Sequence, residues 1–139
     1  MAQDNVAIVQ RLYEEFFSQP ERMFDPAVLE YFDPAIEIRQ SASLVGTAGT
    51  FRGYAGVECA AREMVETFRG LYFAPQRMVG RGDHVIATVE AHAYGKDSGV
   101  EVNETIAHAW TLRGGRVVAW HVYWDPSQAF EALGIDPQA

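Results

Sequence analysis

The sequence predicts one α+β domain in which a curved, mostly antiparallel sheet wraps around a long helix. Three observations predict it. Apolar residues recur at helical spacing in two stretches of the first half, around 6–17 and 57–68. The second half is a run of long alternating segments joined by short glycine turns. A last helical stretch, opened by Asp125-Pro126, closes the chain. The 139 residues fit a single domain over 1–139 and leave no room for two of ordinary size.

Each element has a local reason. Asp4 or Asn5 can cap a first helix, carried by Val6, Val9, Leu12, Tyr13, Phe16 and Phe17 to about Ser18, with Pro20 marking the break. Asp25 as N-cap and Pro26 in the first turn restart a helix that ends near Asp33-Pro34. Ile36 and Ile38 alternate with Glu37 and Arg39, giving a strand over 35–40. Residues 41–53, rich in Ser, Gly, Thr and Ala, read as a loop, with or without a short strand. The helical period returns from Gly53 to about Tyr72 in Val57, Ala61, Met64, Val65 and Phe68. Strands follow at His84–Tyr94, Val100–Leu112 and Arg116–Trp124, each entered through a glycine turn. Asp125-Pro126-Ser127 caps a closing helix through Leu133, and Gly134 stops it. Sheet and long helix together leave a hollow between them.

Charge and composition exclude several roles. The net charge is −8 and no basic run occurs, which argues against nucleic acid and against anionic membranes as partners. No apolar run approaches the ~20 residues of a membrane helix. Met1-Ala2-Gln3-Asp4-Asn5 lacks the basic and apolar regions of a secretion signal. The one cysteine, Cys59, cannot form an internal disulfide, so a reducing compartment is the simpler home. A cytoplasmic protein is expected. His84, His92, His108 and His121 form no HxH or HxxxH pair, and Cys59 has no cysteine partner, so neither a metal nor a cofactor is expected. Phosphate-cradling glycine loops and a G-x-S-x-G elbow are missing. Cys59, beside Ala60 and Ala61, reads as a small buried hydrophobe.

Four segments carry a family resemblance. Val9-Gln10-Arg11-Leu12-Tyr13-Glu14-Glu15-Phe16 is similar to the first helix of SnoaL-like proteins, and Phe32 to Arg39 resembles their first strand. Phe51-Arg52-Gly53-Tyr54-Ala55-Gly56-Val57 resembles the aromatic-x-Gly-x-x-Gly entry to their long helix. Ile106 to Val118, then Tyr123-Trp124-Asp125 and Ala129 to Gly134, resembles their C-terminal strands and helix. The resemblance spans about Asn5 to Ile135. It implies the cone-shaped fold of the SnoaL-like and ketosteroid-isomerase-like proteins. Nuclear transport factor 2, scytalone dehydratase, limonene-type epoxide hydrolases and polyketide cyclases share that fold and do unrelated things, so fold alone does not give function.

Strand alternation places Glu104, Ile106, His108 and Trp110 on one face, and Val118, Trp120, Val122 and Trp124 on one face of the last strand. By resemblance these faces line the hollow. The ligand-binding set is then Phe17, Ile38, Ile106, Trp110, Trp120, Val122 and Trp124, suited to a small apolar molecule. Tyr13 is similar in place to the pocket tyrosine of ketosteroid isomerases, and His108 to their protonated aspartate. Those enzymes set a carboxylate base against an oxyanion hole. The resemblance implies Tyr13 and His108 as donors to a carbonyl or enolate oxygen. Glu104, which strand parity turns to the same hollow, is the candidate base, its pKa raised by burial among aromatics. Where the isomerases carry their base, this chain has Arg39 or Gln40. Where the epoxide hydrolases carry Asp-Arg-Asp, it has Val89, Ala91 and Val122. Plainer readings stand beside these. The tryptophans are core residues, Tyr13 packs its ring, His108 is a satisfied core histidine, Glu37 pairs with Arg39, and Asp125 is only a helix cap.

Two function classes lead. One is a cofactor-free acid/base enzyme (isomerase, cyclase or dehydratase) acting on an apolar, oxygen-bearing metabolite. The other is a non-catalytic small-ligand-binding domain of the same fold. A third is an interaction module that uses the sheet. A homodimer is expected through the outer sheet row of Thr88, Glu90, His92 and Tyr94 beside Thr105, Ala107 and Ala109.

Overall fold

The computed structural model describes residues 2–23, 25–40 and 49–138. Helix α1 spans Ala2–Leu12 and runs into a π-helical turn, Tyr13–Phe17. A 3-10 helix, Pro26–Tyr31, leads into β1 (Phe32–Gln40). Strand β2 (Gly49–Arg52) turns into α2 (Gly53–Thr67). Strands β3 (Phe68–Arg81), β4 (His84–Gly95), β5 (Glu101–Arg113) and β6 (Arg116–Tyr123) follow, and α3 (Pro126–Leu133) ends the order. The six strands form one sheet in the order β2-β1-β6-β5-β4-β3. All neighbours are antiparallel except β1 and β6, which run parallel. This is the α+β, mostly antiparallel architecture the sequence predicts.

The differences lie at element ends. Helix α1 starts before Asp4 and Asn5, and Asn5 is buried, its side-chain amide donating to the Gly82 carbonyl at 3.3 Å. Beyond Leu12 the helix widens. Ser18 N–H donates five residues back, to the Tyr13 carbonyl at 2.8 Å, and the turn buries Tyr13, Phe16 and Phe17 together. Asp25 does cap the next helix, accepting from Ala27 N–H at 2.9 Å. The helix is a 3-10 piece that stops at Tyr31, where Phe32 is already extended. Helix α2 stops at Thr67 rather than near Tyr72, because Phe68 is extended and Leu71 and Phe73 are buried at a period of two. Pro75 is tolerated in β3 because this is an edge strand whose register shifts there. The loop expected at 41–48 lies outside the described residues.

The aromatic-x-Gly-x-x-Gly stretch has a steric cause. Gly53 opens α2 with a φ of +69°, a conformation glycine adopts freely. A Cβ on Gly56 would sit 2.8 Å from the Phe51 carbonyl carbon. Tyr54 then donates its hydroxyl to the Phe32 carbonyl at 2.9 Å, tying α2 to the start of β1.

The main core joins Val9, Leu12 and Tyr13, the two helical turns after them, Ala60 of α2, and the inner sheet face. A second, smaller core lies on the outer face, where Ala129 and Phe130 of α3 cover Val79, Ile86 and Ala107. Asp125 caps α3 by accepting from Ser127 N–H at 3.0 Å, and Gly134 ends it with a φ of 64°. Among the described residues, no helix is long and apolar enough to cross a membrane.

Candidate functional site

The π-helical turn brings Tyr13 against β5. The Trp110 indole N–H donates to the Tyr13 hydroxyl oxygen at 3.1 Å, and that oxygen lies 2.6 Å from His108 Nδ1. All three side chains are fully buried. An indole only donates, so the Tyr13 oxygen accepts from Trp110. Its own proton can then go to His108 Nδ1, which puts the proton of the neutral imidazole on Nε2; the other tautomer would leave the phenol proton unmatched in the core. Electrostatics agree: burial lowers the His108 pKa from 6.5 to about 3. Burial likewise raises Tyr13 well above its ordinary value, although the Trp110 hydrogen bond works the other way. Tyr13 therefore stays a neutral phenol.

The chain of donors ends without an acceptor. His108 Nε2 is buried and has no hydrogen-bond partner, and the same holds for Trp120 Nε1. Leaving such a group unmatched costs about 1–3 kcal/mol. The two rings touch: His108 stands edge-on to Trp120 with centroids 5.2 Å apart. Trp120 stacks on Trp110 at 5.0 Å and meets Phe17 at 5.1 Å. Pairing of Trp110 with Trp120 across β5 and β6 places the stack on the inner face.

Trp120 and Phe17 also wall a cavity of about 90 Å³ between α2, the 3-10 helix, β1 and β6. Such a volume holds several waters or one small organic group. Ile38 adds to the wall from β1, and Val57, Ala60 and Met64 from α2. The 3-10 helix adds Val28 and Leu29. Carboxylates enter the lining at Asp25 and Glu58, which is exposed. Among the described residues, no group of three or more His, Cys, Asp and Glu side chains is placed to hold a metal ion.

A family model described as SnoaL-like domain matches residues 9–120. The chain belongs to the SnoaL-like family. Solved structures extend the likeness over nearly the whole domain. An NTF2-like protein from Burkholderia thailandensis is 25% identical over 93% of this chain and 96% of its own, with a TM-score of 0.74. A SnoaL-like polyketide cyclase, so described, from Jannaschia is 18% identical over 98% and 95%, with a TM-score of 0.74. A protein with a ketosteroid isomerase-like fold from Catenulispora acidiphila, solved in complex with trimethylamine, is 14% identical over 95% and 95%, with a TM-score of 0.70. At this identity the last two speak to the fold. A search of curated protein sequences finds no match.

In this SnoaL-like domain, Tyr13 and His108 meet, as the resemblance implies, but they bond to each other rather than to a common third atom. Glu104 does not join them. It is exposed, although it shares the inner parity of Ile106 and His108. The cause is strand length: β6 ends at Tyr123, opposite Ala107, so β5 has no neighbour on that side at Glu104. The expectation of Glu104 as a base desolvated among aromatics is corrected accordingly. Phe17, Ile38 and Trp120 line the cavity. Ile106 and Trp110 are buried in the core behind it, while Val122 and Trp124 are half-buried against that core. Glu37 pairs with Arg39 at 2.6 Å and with Arg52 at 3.3 Å. The 3-10 helix wall was missed at the sequence level. Its signal, Met23 and then Val28-Leu29 after an Asp-Pro cap, is a generic amphipathic one.

Proposed function

We propose that the chain binds a small, largely apolar molecule in the cavity between α2, the 3-10 helix, β1 and β6, and acts as a ligand-binding domain. The apolar-walled cavity of about 90 Å³ carries this reading. Each Å² of apolar ligand surface removed from water contributes about 25 cal/mol. Ala60, buried in the cavity wall, supplies the test, because Ala60→Leu fills the space. With neutral apolar molecules added, the wild type should melt at rising temperature. A ligand at about 100 times its Kd adds about 2.7 kcal/mol. Ala60→Leu should fold and not respond. An equal response from both proteins refutes this cavity as the site.

The buried Trp110–Tyr13–His108 chain favours a second reading, a cofactor-free acid/base enzyme of isomerase, cyclase or dehydratase type. Neutral His108 would donate a hydrogen bond from Nε2, and Asp25 or Glu58, as the lining carboxylates, would take the proton. Cyclohexanone in D2O tests it without knowledge of the natural substrate. Exchange of its α-protons should run faster with wild type than with His108→Phe. Exchange at the buffer rate leaves the binding reading alone.

A further inference from the structure

We propose that the cavity's ligand is a small organic cation, an alkylammonium whose apolar body fills the cavity while its charged head stays in solvent reach against Asp25 and Glu58. The inference rests on the pocket reading and adds the charge of the ligand. Among the described residues, the lining holds two ionisable side chains, Asp25 and Glu58, and both are acids. No lysine, arginine or histidine joins them, and the rest of the lining is apolar or aromatic. Neither carboxylate is neutralised within the site. Asp25 accepts from Ala27 N–H through Oδ1 at 2.9 Å. Its Oδ2 lies 4.0 Å from Arg22 Nε, and the Arg22 guanidinium stands over the Phe16 ring, outside the lining. An exposed pair at that distance is weak. Glu58 has no ion-pair partner among the described residues.

Charge complementarity then selects the occupant. An anion would bring a third negative charge to a site that offers no cation. A neutral molecule would gain from the apolar walls alone and nothing from the two acids. An ammonium group drawn wholly among apolar walls would lose its hydration without a counter-charge, at high cost. It does not have to go there, because the Asp25 side chain is 40% exposed and Glu58 is exposed. The hydrocarbon part goes inside, against Phe17, Ile38, Met64 and Trp120, and the charge stays beside the carboxylates in contact with water.

Titrations followed through the Ile38 methyl signals, assigned with Ile38→Val, test this at pH 7 and low salt. The probes are cyclohexylammonium, cyclohexanol and cyclohexanecarboxylate, alike in ring and different in charge. The cation should bind roughly 10-fold tighter than the alcohol, about the attraction of one charge to two solvated carboxylates, and the anion more weakly than either. Asp25→Asn with Glu58→Gln should erase the cation's advantage while cation and alcohol both still move Ile38. Asparagine serves as an N-cap as aspartate does, and Glu58→Gln alone, on an exposed side chain, should already remove part of the advantage. Glu66→Gln changes the same charge at an exposed position of α2 outside the lining and should leave the advantage intact. If cation and alcohol bind the wild type equally, or the advantage survives the paired substitution, the charge assignment is wrong and the pocket stands. An effect of Glu66→Gln as large as that of Glu58→Gln would trace the preference to the chain's overall charge and also overturn the assignment. If none of the three probes moves Ile38, the pocket reading and this inference fall together.

Discussion

At the scale of single residues, the interior is organised around three polar atoms in an aromatic setting. Tyr13 holds two of them, so its hydroxyl has no isosteric substitute. Tyr13→Phe keeps the ring but leaves Trp110 Nε1–H and His108 Nδ1 unmatched. At about 1–3 kcal/mol for each buried group, the variant should lose roughly 2–5 kcal/mol in urea denaturation. A loss under about 0.5 kcal/mol would mean that water replaces the hydroxyl. His108 predicts a pH dependence. Its folded pKa of about 3 lies below the unfolded 6.5, so between these values the unfolded chain binds a proton that the folded chain does not. The stability is fully present above about pH 6.5 and falls as the pH drops, by about 1.4 kcal/mol per unit, until about pH 3. Melting curves from pH 7 to pH 4 should therefore be flatter for His108→Leu than for wild type. Parallel curves would show that His108 is not the titrating group. This trio was legible in part. Strand parity put His108 and Trp110 on one face, and the helical period put Tyr13 inside. The direct bond was not legible, because it depends on the extra residue in the π-helical turn, which has no composition signal.

At the scale of elements, the sequence reads best where a turn residue and an alternation agree. Strands β4, β5 and β6 fall within a residue or so of their glycine turns, and α3 runs from the Asp125 cap to Gly134. It reads worst at the junction of α2 and β3, where Phe68 fits both a helical stripe and an alternating strand. There Leu71 and Phe73 settle the matter only through tertiary burial. The turn from β2 into α2 is the most constrained junction. Gly56→Ala would press a methyl group to 2.8 Å from the Phe51 backbone, and backbone cannot yield as a side-chain tip can. A destabilisation of about 1–3 kcal/mol is expected, whereas Ala55→Gly at an exposed neighbouring position should cost about 1 kcal/mol. Similar values for the two would remove the steric account of the motif.

At the scale of the molecule, the sheet has one face for the core and one divided between uses. Helix α3 already covers Ile86 and Ala107 on the outer face, so the row expected to meet a second copy is shortened. What stays open is the far half, where Tyr72 stacks on His92 at 4.9 Å and Arg69 lies over Tyr94 at 5.7 Å. We expect a homodimer through this half, with Thr105, exposed on β5, near its middle. Sedimentation at micromolar protein should give twice the monomer mass for wild type and the monomer mass for Thr105→Arg. A monomeric wild type would sink the dimer. Outer and inner faces were separable in the sequence because burial follows the strand period, but the reach of α3 across the outer face was not.

The parallel pairing of β1 with β6 has a consequence for time rather than for stability. These two strands lie at opposite ends of the chain, and Ile38 meets Trp120 only when they join. That contact closes the longest loop in the sheet, and such non-local closures are slow to form. The antiparallel run from β3 to β6 can assemble first from neighbours in sequence. Two walls of the cavity, Ile38 and Trp120, are therefore expected to come together late in folding. A molecule resting between them finds nothing to hold in the folding transition state and everything to hold in the finished domain. It would leave the rate of folding untouched and slow the rate of unfolding, so that an occupied domain outlives an empty one by the whole factor of their equilibrium difference.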